Sequence, residues 1–89
     1  MNIYEASKIV LAEHQYKMIR AKKDSASHEL DCKDVLDHKG NKRGWTILDA
    51  TTASVIVRVT EAINETSREK FLKLHPVIAI NIAWDMVSS

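Results

Sequence analysis

Cys32 stands four residues after His28. On a helix that spacing would set a thiol beside an imidazole, the first half of a Cys-His nucleophile pair. Such a pair needs a third group to orient the imidazole, and the flanking sequence offers none. Cys32 therefore reads better as a small, partly buried residue. Around it His28, Glu29, Asp31, Cys32, Asp34, Asp37 and His38 crowd eleven positions. These are ligand types, but zinc sites use close Cys or His pairs, and calcium loops alternate oxygen donors up to a final glutamate. Neither pattern is met, so a solvated acidic edge is expected, with no metal and no cofactor. His14 falls in the apolar stripe of the first helix and reads as an interior histidine, and His75 before Pro76 reads as a helix-boundary residue. The two glycines cannot form a phosphate-cradling loop of either standard kind. The chain is expected not to be an enzyme.

The remaining chemistry is basic. Lys39, Lys42 and Arg43, with Trp45 beside them, surround the glycines Gly40 and Gly44. An extended basic finger of this kind can track phosphates or enter a groove, and Lys17, Arg20, Lys22 and Lys23 would extend it. Against this, Asp31, Asp34 and Asp37 would repel phosphate, and the formal net charge is only +1. The same four residues, Lys39, Lys42, Arg43 and Trp45, serve equally as contacts to a protein partner. That is the preferred expectation, with a dimeric nucleic-acid-binding regulator as the alternative.

The elements that must position these residues are mostly helical. Eighty-nine residues make one domain, and a hydrophobic fraction of 45% with 28% charged residues is that of a chain that folds. The single cysteine excludes an internal disulfide, and the opening residues lack the basic-then-apolar pattern of a secretory signal, so a cytoplasmic setting is expected. The unbroken apolar run over residues 77–80 is far short of the roughly 18 that a membrane span needs, so no membrane is expected.

Asn2-x-x-Glu5 is a capping-box start, and helical spacing continues through residues 1–24. Ile3, Ser7, Val10, Leu11, His14, Met18 and Ala21 form one stripe of that helix, and Ile9, Ala12, Tyr16 and Ile19 form a second, roughly opposite. Residues 25–49 change character. Their "DVLD" and "WTIL" runs can pair as a β-hairpin about the glycines, with a short helix over 28–36 as the competing possibility.

The stretch "ASVIVRVTEAI" alternates like a strand, yet Ser54, Arg58 and Glu61 fall on one narrow polar stripe of a helix. Asp49, Thr51 and Thr52 supply start signals, so a buried helix over 50–64 is expected, with Asn64 as its stop. Thr66-x-x-Glu69 opens a short helix over 66–75, and Pro76 begins a C-terminal helix over 76–87 that is apolar on nearly every side.

The expected fold class is thus mainly α: a small bundle of three to four helices with a short β-hairpin inserted between the first and second long helices. So much apolar helix surface exceeds what a short chain shields alone. A symmetric homodimer, through Ile9, Ala12, Tyr16 and Ile19 or through the C-terminal helix, is the expected remedy. Function follows as an expectation: a non-catalytic intracellular protein-interaction module that regulates or inhibits a partner protein, in the style of small phage and mobile-element proteins.

Overall fold

A computed structural model describes residues 1–22, 29–35 and 44–88. Four helices and a small antiparallel sheet follow in the order α1 (Ile3–Glu13), β1 (Lys17–Ala21), β2 (Leu30–Asp34), β3 (Thr46–Leu48), α2 (Ala50–Ala62), α3 (Glu65–Leu72) and α4 (Pro76–Ser88).

The capping box at the start of α1 is formed. The Asn2 side chain accepts from the Glu5 amide at 2.9 Å, and the Asn2 amide donates back to the Glu5 carboxylate at 3.4 Å. The helix is half as long as its sequence periodicity predicts. His14 takes a left-handed conformation at φ 55°, one that histidine tolerates better than most residues, and the chain leaves the helix there. Residues 17–21, expected to continue the helix, become the central strand. Short apolar runs fit both periods, and here pairing on two sides decides between them.

Strand order is β2-β1-β3, antiparallel throughout. Of the "DVLD" run expected to pair with "WTIL", Asp34 ends β2, while Leu36, Asp37 and the intervening residues 38–43 lie outside the described residues; among the described strands β1 lies between β2 and β3. A strand also replaces the short helix weighed for residues 28–36, over the span Leu30–Asp34. Opposite residues in register share a face. Ile19, Cys32, Leu30, Thr46 and Leu48 thus lie on one side, and Met18, Arg20, Asp31, Lys33 and Ile47 on the other. The first side closes the core.

Ile19, Leu30 and Leu48 join Ile3, Ala6 and Val10 of α1, Ala53, Ile56 and Val59 of α2, Phe71 of α3, and Ala79 and Ala83 of α4 in one apolar cluster. Buried in this core, but without a hydrogen-bond partner among the described residues, is the Ser7 hydroxyl, whose desolvation costs about 1–3 kcal/mol.

α2 resolves the strand-or-helix conflict of its sequence in favour of the helix. The Asp49 side chain caps it, accepting from the Thr52 amide at 2.7 Å. Ser54, Arg58 and Glu61 are exposed as the polar stripe requires, while Ala53, Ile56 and Val59 are buried. The helix ends at Ala62, and Asn64, expected as its stop, caps α3 instead by accepting from the Ser67 amide at 2.8 Å. α3 therefore starts before the predicted Thr66 box. Arg68 ties the two helices, its guanidinium donating to the Thr60 carbonyl at 2.9 Å and the Ile63 carbonyl at 3.4 Å. Those are carbonyls at the end of α2, which has no later turn to pair them. Pro76 is the first residue of α4, as predicted, and the Val77 amide donates to His75 Nδ1 at 3.3 Å.

A second tie joins α1 to α2. The Tyr4 hydroxyl donates to Glu61 at 2.9 Å. That bond, with smaller contributions from burial and from the Glu61 charge, holds the Tyr4 phenol above its ordinary value of 10.0. A raised phenol pKa means the folded state retains a proton that the unfolded chain releases. The associated stability is full below about pH 10 and is lost as pH rises through the folded value. Melting temperatures measured from about pH 9 to 11 should fall further for the wild type than for Tyr4→Phe. Parallel curves for the two proteins would show that the bond does not hold in solution.

Candidate protein-interaction surface

α4 is the most apolar helix, and the fold covers only a strip of it. Pro76, Ala79 and Ala83 are buried, and these small side chains let α4 lie close against α2. On the remaining surface Val77, Ile78, Ile82, Trp84, Met86 and Val87 are 37–50% exposed. At about 100° per residue they form two flanks, separated by the polar line Asn81, Asp85 and Ser88.

One flank faces α3. Ile82 and Met86 there join Ile63, Phe71 and Leu74 around an open groove of about 340 Å³, rimmed by Ser67 and Lys70. The other faces the first half of α2, where Trp84 and Val87 meet Val55, with Thr51, Ser54 and Arg58 along the edge. Apolar walls with a sparse polar rim suit the apolar side of a partner helix. The sequence signal for this surface was the near absence of polar positions in residues 76–87.

Of the four contact residues expected from the sequence, Trp45 alone is among the described residues. Lys39, Lys42 and Arg43 fall outside the described residues. Trp45 is half-buried on the outer face of the sheet, between the Arg20 guanidinium at 4.5 Å and the Lys33 ammonium at 4.2 Å from its ring centre. Arg20 also pairs with Asp31 at 2.9 Å. This cluster holds β1, β2 and the start of β3 together from outside, and cation-π contacts of this kind are worth about 0.5–1 kcal/mol at exposed sites.

The predicted self-association stripe is not one face. Ile9 is half-buried and Ala12 exposed on α1, Tyr16 is 56% exposed in the turn after it, and Ile19 is fully buried on the core side of β1. Ending the helix at Glu13 is what separates them. His14, expected in the interior, is exposed for the same reason.

Cys32 is half-buried beside Ile19, and burial foremost raises its thiol pKa, the opposite of what a nucleophile needs. His28, its expected companion, lies outside the described residues, as do Asp37 and His38. The other acids have cationic neighbours: Asp34 pairs with Lys17, which also reaches Glu13 at 2.9 Å, and Glu29 lies 4.0 Å from Lys22. Hydrogen bonds from Lys17 to Asp34 and Glu13 keep its ammonium protonated well above the usual lysine range. Among the described residues no three His, Cys, Asp or Glu side chains are placed to hold a metal ion, and no helix is long and apolar enough to cross a membrane.

No protein-family model, curated protein or solved structure matches this chain.

Proposed function

We propose that this protein is a small, non-catalytic interaction module of the cytoplasm that binds, and so regulates or inhibits, a partner protein through α4. One observation carries this: six large apolar side chains of a single helix stand 37–50% exposed. On the flank of Ile82 and Met86 this surface runs on into Ile63, Phe71 and Leu74, and exposed apolar surface of that kind on a folded domain is characteristic of a docking face. The groove between α3 and α4 would take an amphipathic helix, its apolar side against Ile82 and Phe71 and an acidic edge toward Lys70.

A photo-crosslinker at position 82 identifies the partner, which is then purified. Ile82→Glu is expected to weaken its binding by about 30-fold or more while leaving the helical signal unchanged, the loss typical of a central apolar contact. Equal binding by both proteins would remove α4 from the contact.

A second reading, a dimeric nucleic-acid-binding regulator, draws support from Trp45 with Arg20 and Lys33 on the outer sheet face. It requires binding to generic DNA or RNA that weakens steeply as salt rises. No binding at low salt would dismiss it.

A further inference from the structure

We propose that the flank of α4 facing α2 is occupied by a second copy of this chain, with the two α4 helices side by side and parallel about a two-fold axis. The proposal rests on α4 being the docking element, as above, and assigns an occupant to the flank that the partner groove does not use.

Val77, Ile80, Trp84 and Val87 follow one another at spacings of three, four and three, the seam of a helix that pairs with another helix. Val77, Trp84 and Val87 are exposed, and Ile80 is half-buried. A seam that is apolar along its length is self-complementary, so each layer of one copy can meet the same layer of the other.

Charge chooses the direction. Arg58 lies on the α2 edge of this flank, lining the groove with Trp84 and Val87. Asp85 lies on the opposite edge, about 100° round α4 from Trp84 and away from the buried Ala79 and Ala83. Both are exposed, and neither has an ion-pair partner among the described residues. A two-fold axis running along the helices exchanges the two edges, setting Arg58 of each copy against Asp85 of the other. An axis across the helices would instead place like charge against like, which is unfavourable.

A stable interface buries at least about 1,200 Å² in total, or about 600 Å² from each copy, and the seam together with the α2 edge is the surface that would supply it. A dimer dissociating in the micromolar range is therefore expected.

Sedimentation of the full chain from about 1 to 500 µM tests this, with circular dichroism confirming that each variant is folded. The wild type should pass from monomer to dimer. Trp84→Glu should move the transition to concentrations about 30-fold higher or more. Arg58→Asp and Asp85→Arg should each weaken pairing about tenfold, and the double exchange should restore it to within about threefold. A wild type that stays monomeric throughout overturns the proposal, as does a double variant no better than the singles. Ile82→Glu separates this from the partner-binding proposal: it should lose the partner and keep the dimer. A monomer that still binds the partner through Ile82 refutes the second copy alone.

Discussion

Ile19→Asp is expected to unfold the domain. Sequence periodicity places Ile19 on the outside of a long helix, where an aspartate would only disrupt an assembly. In the structure it is fully buried at the centre of the sheet, opposite Cys32 on one side and Thr46 on the other. The substitution removes an apolar side chain worth about 1.5–3 kcal/mol of burial. It also places a carboxylate where no cation is in register with it, and an uncompensated buried charge costs about 3–5 kcal/mol. The sum is comparable with the roughly 5–15 kcal/mol that holds a small domain together. Circular dichroism at 25 °C should therefore show loss of the helical signal. Tyr16→Asp is the control, because Tyr16 is 56% exposed and the variant should stay folded. A folded Ile19→Asp protein with altered mass would return Ile19 to the surface and refute the strand.

The second large effect is expected from Ile56→Ala in α2. Two effects of opposite sign compete. Alanine improves helix propensity by a few tenths of a kcal/mol over isoleucine. Against that gain, Ile56 is fully buried in the shared core, and truncating such a residue costs about 2–5 kcal/mol, including the cavity left behind. Burial prevails by roughly an order of magnitude, so the melting temperature should fall by about 10–25 °C. Val57→Ala, at a half-buried position one residue on, should lose much less. If the two variants melted alike, tertiary packing would not be what makes this β-branched segment helical.

Local signals located much of the helical framework. Asn2 with Glu5, Asp49 and Pro76 each mark a helix start that the structure contains, because a cap is a contact between residues three or so apart and needs nothing distant. The narrow polar stripe of α2 and the almost wholly apolar α4 were also legible, since helical periodicity is written in consecutive residues.

The strands were not. Residues 17–21 keep helical spacing, and only pairing with β2 on one edge and β3 on the other, chain segments about a dozen and thirty residues away, makes them a strand. That reversal moved Ile19 from a supposed surface stripe into the core, took His14 out of it, and placed Trp45 on the sheet between Arg20 and Lys33. The docking surface divides the same way. Composition showed that α4 carries more apolar surface than it can hide. Which flank meets α2, which meets α3, and which stays open depends on the small buried strip Pro76, Ala79 and Ala83, whose packing is a property of the assembled helices. Caps and periodicity act over a few residues and can be read along the chain, whereas register and exposure arise from contacts between distant segments and exist only once the fold has formed.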